Sequence, residues 1–231
     1  MGLHARIFAA MYDPFMSRAE RDLLGELRRN QLSAAHGDVL EIGAGTGANL
    51  PAYGAGVRTL TLTEPQQPML KRLQSRVDTA QSSIPITVLR APAEDLPFDD
   101  DTFDTVVSTL VLCGATDQQL ALRQIRRVLR PGGTLLFIEH VRYDDPRRAR
   151  RQDRMNWLNR LVVCCDCNRP TLTSIREAGF DTGEVQQLAM PHAPSFVGPV
   201  LAGTATPHTA HESGNRPSQP SARATDINQP S

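Results

Sequence analysis

The stretch Asp38-Val39-Leu40-Glu41-Ile42-Gly43-Ala44-Gly45-Thr46-Gly47 limits this chain more than any other. A short apolar run, interrupted by one carboxylate, is followed by glycine at alternate positions. Such a run reads as a buried strand that ends in a tight turn. Glycine serves where φ is positive or where the backbone must come close to a ligand, because a Cβ would collide there. A strand over 38–42, a glycine turn and a helix starting near Ala48 would make a nucleotide-type crevice at the carboxyl end of a parallel strand. A dinucleotide fingerprint has G-x-G-x-x-G, and here the third glycine comes one residue early. Glu41, inside the strand, is poorly placed for a pyrophosphate and well placed to hold an ammonium group.

The rest of the chain alternates strands and helices. Residues 5–36 read as helical, with a break at Tyr12-Asp13-Pro14-Phe15, since a proline disfavours helix for the residue before it. These helices would form a lid, and Tyr12 is either a cofactor-edge residue or packing. Arg58–Thr63 alternates polar and apolar residues and reads as a second strand, closed by Glu64. That acid lies where such folds place a carboxylate for ribose hydroxyls. Pro65 then precedes a helix with Met69, Leu70 and Leu73 on its inner side. Further strands are expected at 84–89, 103–108 and 134–138, and a helix over 117–129 with Asp117 as its N-cap and Leu120, Ile125, Val128 and Leu129 inward. Two last strands, 180–189 and 195–205, would close the sheet with an antiparallel hairpin.

Composition narrows the class. With 231 residues the chain is one domain plus a tail, and with zero net charge it has no electrostatic pull toward nucleic acid. The expected divisions are a helical lid over 1–36, a domain over 37–206 and a disordered tail over 207–231, where Pro, Ser, Thr, Asn and Gln dominate. No 18-residue apolar run and no signal peptide are present, so a cytoplasmic location is expected. Residues 146–163 form a basic helix that either coats the protein or rests on an anionic membrane surface. Cys164, Cys165 and Cys167 crowd together, with no second cysteine pair to complete a zinc site, so no metal is expected. Cys113 reads as a small apolar residue. His140, at a strand end, would lie near the rim of the crevice and could take a proton from a substrate; a structural histidine is the plainer reading.

The E-x-G-x-G-x-G pattern of Glu41–Gly47 resembles motif I of the class I S-adenosylmethionine-dependent methyltransferases. The octet Ala91–Phe98 is similar to their adenine loop, and "LRPGG" at 129–133 and "AGF" at 178–180 are further hallmarks. "YDPFM" at 12–16, "EHV" at 139–141 and C-x-x-N-R-x-T at 165–171 look like bacterial relatives of the thiol-methylating, methyltransferase-like group. The resemblance implies a Rossmann-like α/β fold, a seven-stranded, mostly parallel sheet with helices on both faces and S-adenosylmethionine as cofactor. It carries cofactor contact to Glu41, Gly43, Ala44, Gly45 and Gly47 in the turn and to Glu64, Pro65 and Met69 after the second strand. It does the same for Ala93 and Glu94 (with Asp95 as the alternative acid), for Thr109 and Leu110, and for Tyr12. The implied reaction is in-line methyl transfer to a small-molecule thiol or similar nucleophile. Quinones and phospholipid headgroups are alternative acceptors, and a non-catalytic cofactor-binding scaffold is the alternative of another class.

Overall fold

The computed structural model describes residues 12–14, 16–162, 165–190, 194 and 196–208. Seven strands form one sheet: β1 (Gly37–Ile42), β2 (Val57–Thr63), β3 (Ile86–Leu89), β4 (Phe103–Thr109), β5 (Leu129–His140), β6 (Phe180–Ala189) and β7 (Pro199–Pro207). Their order is β3-β2-β1-β4-β5-β7-β6. The first five run parallel, and β7 pairs antiparallel with both β5 and β6. This is the expected Rossmann-like sheet with its antiparallel hairpin. The order reverses between β1 and β4, so the carboxyl ends of these two strands part to leave a crevice.

Alternation along the central strands builds the two faces. Leu40, Ile42, Val106, Leu135 and Phe137 pack on one side with α3 (Gln118–Val128). Val39, Val107 and Leu136 point to the other side, with Leu60, Leu62 and Leu73. Leu73 and Met69 are the buried residues of α2 (Gln67–Thr79). In α3 the Asp117 carboxylate accepts the Leu120 amide at 2.9 Å, the expected N-cap. Its buried apolar face is Ala121, Leu122, Ile125 and Val128, while Leu120 is only half-buried and Leu129 already belongs to β5.

Three other expectations are corrected. No α-helix follows the glycine turn: a three-residue 3-10 turn, Leu50–Ala52, is all that forms. Pro51, Gly54 and Gly56 crowd the short span before β2 and leave no uninterrupted helical run. Tyr12, Asp13 and Pro14 are helical rather than a break. Asp13 is fixed from outside, accepting Thr46 Oγ1 at 2.6 Å and Arg76 Nη2 at 3.1 Å. α4 (Pro146–Val162) is more than a coat, because polar side chains tie it into the body of the protein. Trp157 is 63% exposed, whereas Gln152 and Asn159 are buried. Gln152 donates to Val141 O and accepts the Tyr143 amide, and Asn159 donates to Phe196 O. Among the described residues no helix is long and apolar enough to cross a membrane. Most of the expected tail and the start of the expected lid lie outside the described residues.

The N-terminal helical stretch ends in a π-helical turn, Glu20–Leu24, followed by α1 (Gly25–Leu32). Leu24 and Leu27 pack on Ile138, Val200 and Ala202. Arg28 is buried, donating to Glu20 Oε1 at 2.9 Å and to Asn49 Oδ1 at 2.6 Å. At the other end of the sheet, Asp38 and Asp104 share Arg130, at 3.1 and 2.7 Å. Arg58 also donates to Asp38, at 2.9 Å from Nε.

Arg58 and then Arg130 hold the Asp38 carboxyl well below the usual carboxylate range. Burial pushes Asp104 up, but the Asp38 amide and Arg130 outweigh it and lower it. A depressed folded pKa gives stability that is complete above the unfolded value, about 4, and is lost as pH falls through the folded one. Arg130→Met should therefore weaken the protein near neutrality and flatten the acid limb of its stability curve. Urea titrations between pH 7 and pH 3 measure both effects.

A second prediction concerns Glu139, which is wholly buried at the end of β5. It accepts the Ser108 hydroxyl at 2.7 Å and the amides of Val111, Leu112 and Cys113 at 3.1, 3.0 and 3.1 Å. Glu139→Ala leaves four buried donors without an acceptor and should cost about 3–5 kcal/mol. Ser108→Ala, which removes one donor, should cost about 1 kcal/mol in the same denaturation assay.

Candidate functional site

The crevice forms where β1 and β2 end opposite the bend after β4. Its cavity measures about 340 Å³ and is open on one side. The glycine turn makes one wall. Gly43, Gly45 and Gly47 have φ of +55°, +58° and +85°, so each takes a conformation that L side chains rarely adopt. Their roles differ. A Cβ at Gly43 would meet Val111 Cγ2 at 2.7 Å, and one at Gly47 would meet Leu50 Cδ1 at 2.9 Å. At Gly45 a Cβ would meet nothing within 4 Å, because it would project into the crevice. That opening is the place a bound group needs backbone access.

Glu64 follows β2 and is buried, with its carboxylate at the crevice floor. Oε2 accepts the Gly45 amide at 3.0 Å and Oε1 accepts the Gln66 amide at 2.8 Å. Burial raises its pKa, and the two amides oppose the shift. Each oxygen keeps a lone pair, enough for the two hydroxyls of a ribose. Pro65 and Met69 continue the same wall. Ala93 and Glu94 make the far end, with Gly114, Ala115 and Thr116 opposite. Of the two acids left open by the sequence, Glu94 lines the cavity. Its Oε1 accepts the Thr116 amide at 2.7 Å and the Asp117 amide at 3.3 Å, so it also pins the adenine-type loop to the start of α3. Leu110 and Val111 form the wall after β4, and Tyr12 borders the mouth. Leu110 has φ of +58°, a left-handed value for a bulky residue that marks a sharp bend. Burial pushes the Tyr12 hydroxyl up to about 12, so it is neutral and a donor at physiological pH.

Four of the expected residues lie outside the cavity lining. Ala44, Gly47, Thr109 and Glu41 do not line the cavity. The Ala44 side chain packs with Val39, Leu60 and Leu62 on the core side of the turn. Thr109 points away, accepting Asn49 Nδ2 at 3.0 Å. Glu41 is buried beneath the turn, where Oε1 accepts Asn49 Nδ2 at 3.0 Å and Oε2 accepts the Tyr53 hydroxyl at 2.6 Å. Burial lifts its pKa to about 7 against the pull of Tyr53, Arg28 and Asn49. With both oxygens engaged, Glu41 braces the turn from below. The sequence missed Gln66, Pro92, Val111 and Gly114–Thr116, which carry no distinctive chemistry and enter through the course of their loops.

His140 departs from the proton-acceptor reading and fits the structural one. It is buried, not at the rim, and does not line the cavity. Its Nδ1 faces Cys165 Sγ at 3.5 Å and Cys113 Sγ at 3.8 Å, and its Nε2 faces Met190 Sδ at 3.3 Å. Burial opposes its charge, but the thiols of Cys113 and Cys167 raise its pKa to about 10. Spacing alone could not bring these residues together, because Cys113 and His140 come from the ends of different strands.

The crevice fits S-adenosylmethionine: an open glycine at the turn, a carboxylate for the ribose and a small-residue slot with an acid at the far end. Residues 40–137 match the family described as "Methyltransferase domain". The chain is 32% identical over 196 residues to the human thiol S-methyltransferase TMT1B, covering 82% of this chain and 79% of that protein. It is 31% identical over 160 residues to the phosphatidylethanolamine N-methyltransferase of Cereibacter sphaeroides, covering 66% of this chain and 78% of that one. Among solved structures, the N-methyltransferase NodS of Bradyrhizobium japonicum with S-adenosyl-L-homocysteine superposes with a TM-score of 0.59 at 21% identity, covering 82% and 88% of the two chains. Fold, crevice and relatives agree, and the chain belongs to the class I S-adenosylmethionine-dependent methyltransferases.

Proposed function

We propose that this methyltransferase acts on a small thiol that ionises without help from a protein base. The observation that carries the proposal is the set of titratable groups lining the crevice. Among the described residues these are Tyr12, Glu64 and Glu94. Tyr12 stays protonated near neutrality. Glu64 and Glu94 each accept two backbone amides and sit where the ribose and adenine would lie. His140, the base the sequence offered, is enclosed by sulfur. An amine or alcohol would have to lose a proton to a nearby base before attack. A thiol with pKa near 8.5 is already partly thiolate at neutral pH. The likeness to a human thiol S-methyltransferase over most of both chains supports the same reading.

In this reading the cofactor supplies the electrophilic methyl on a sulfonium, and the protein supplies position. Gly43 and Gly45 give backbone access, Glu64 orients the ribose, and Ala93 and Glu94 hold the base. Leu110, Val111 and Met69 form a dry wall along which an acceptor sulfur approaches in line. A phospholipid headgroup is the second reading. It draws on the bacterial phosphatidylethanolamine methyltransferase relative and on α4, whose arginines surround the exposed Trp157 and would suit an anionic lipid surface.

Two outcomes are expected. Glu64→Ala should weaken S-adenosylmethionine binding by at least about 100-fold in calorimetric titration, the cost of two hydrogen bonds to a charged group. Glu64→Gln should lose less. For the acceptor, kcat/KM should rise with pH through the pKa of the thiol supplied, and the inflection should move when a thiol of different pKa is used. An inflection that stays fixed across a series of thiols would mean that a protein group takes the proton. Methylation of vesicle phosphatidylethanolamine with no thiol turnover would favour the lipid reading.

A further inference from the structure

Three cysteines and one histidine meet in the interior behind the crevice wall. Cys113 follows β4, His140 ends β5, and Cys165 and Cys167 lie between α4 and α5 (Thr171–Glu177). All four are buried. The ligand atoms of Cys113, His140 and Cys165 lie within 4.8 Å of one another, and Cys167 belongs to the same buried cluster of cysteines. None of these groups is used by the methyl-transfer chemistry.

We infer that Cys113, His140, Cys165 and Cys167 form a buried, closed metal site for a thiophilic divalent cation of the zinc type. Three features of the geometry support it. First, the spacing fits. Zinc at about 2.3 Å from sulfur and about 2.05 Å from nitrogen, with tetrahedral angles, sets S···N edges of about 3.6 Å. The edges here are 3.5 and 3.8 Å. Second, the imidazole is oriented as a ligand. Its Nε2 faces the Met190 thioether, which has no proton to give, so Nε2 carries the hydrogen. Nδ1 faces the thiols, where it would coordinate once its proton leaves with theirs, and the other nitrogen is held by an outer partner, as in metal-bound histidines. Third, the backbone is fixed around the cluster. The Asp166 amide donates to Cys113 O at 2.9 Å, and Gln152 Nε2 donates to Cys167 O. Without a metal, three buried thiols compete for a single ring nitrogen. With one, each thiol loses its proton to solvent and every sulfur is coordinated.

The chemistry of the donors selects the ion. Three thiolates and an imidazole favour zinc over magnesium or calcium. Four protein ligands leave no open position, so the site is structural. Cys113 belongs to the bend whose neighbours Val111 and Gly114 line the crevice, so the metal would brace the wall opposite the glycine turn. The inference is independent of the acceptor proposed above.

The test is the metal content and cobalt spectrum of the untagged, full-length protein purified under reducing conditions. Elemental analysis should find about one zinc per chain. After chelation, titration with cobalt(II) should give near-ultraviolet thiolate-to-cobalt charge-transfer bands and intense tetrahedral visible bands. These should saturate at one equivalent and be displaced by zinc. Cys165→Ser and His140→Ala should each lower cobalt affinity at least about 10-fold. If either variant fails to fold, the wild-type stoichiometry and spectrum still decide. The inference is overturned if the folded wild type holds no metal and shows no charge-transfer band with cobalt. It is also overturned by weak octahedral bands alone, or by a Cys113–Cys165 disulfide in the intact mass.

Discussion

The four hydrogen bonds into the Glu139 carboxylate hold the crevice open. β5 is the only parallel neighbour of β4 on the far side from β1, and its last residues decide where the chain after β4 can go. By accepting three consecutive amides, Glu139 coils Val111, Leu112 and Cys113 around its oxygens. That curl presents Val111 to the glycine turn and Cys113 to His140. An apolar residue at position 139 would leave the same amides in a dry interior with no acceptor, and the loop would have to find water elsewhere. Glu41 does the same beneath the opposite wall. It gathers Asn49 and Tyr53, and through Asn49 it reaches Arg28 on α1 and Thr109 on β4. Two buried carboxylates at strand ends thus fix the two walls between which the cofactor must lie.

Much of this was legible in the sequence, for reasons that can be stated. β1, β2 and β4 are short β-branched or aliphatic runs between turn residues, and strands of that kind are set by local pattern. Asp117 caps α3 because a carboxylate before a helix finds the third amide whatever lies around it. Glu64, Gly43, Gly45 and Glu94 line the crevice because the turn and the strand ends that carry them are local features too. What was not legible shares a cause as well. Position along a strand places Glu41 and His140 at strand ends but does not say which way they face. The direction of a side chain at a strand end depends on what packs beneath it, and both face inward to partners eight or more positions away. The helix expected after the turn failed because Pro51 and the glycines beside it override the family pattern.

α4 shows a different limit. Its arginine content suggested a coat or a membrane-resting surface, yet Gln152, Asn156 and Asn159 hydrogen-bond it to the body of the protein. Amides in a helix carry no periodic hydrophobic signal, so this docking face was invisible to pattern reading. The choice has a consequence for function. A helix held by directional hydrogen bonds keeps a fixed register on the loop 165–169, where an apolar face would tolerate sliding. Gln152 ties that loop to the end of β5 by donating to both Val141 O and Cys167 O.

The placement of the sulfur cluster bears on acceptor choice. A thiol methyltransferase must keep its own thiols away from its electrophile, because a thiolate next to a sulfonium methyl is an acceptor in its own right. Cys113 is the one at risk: it neighbours a loop that lines the crevice, and hydrogen bonding with Cys165 and the imidazole of His140 lower its pKa despite burial. Its side chain nevertheless points behind the wall, toward His140 and Cys165, with Leu110 packed against the cluster. Coordination would remove the hazard further, since a metal-bound thiolate donates its electron pair to the cation. Segregating the protein's own sulfur from the crevice follows from the same bend at Leu110 and Val111 that Glu139 enforces.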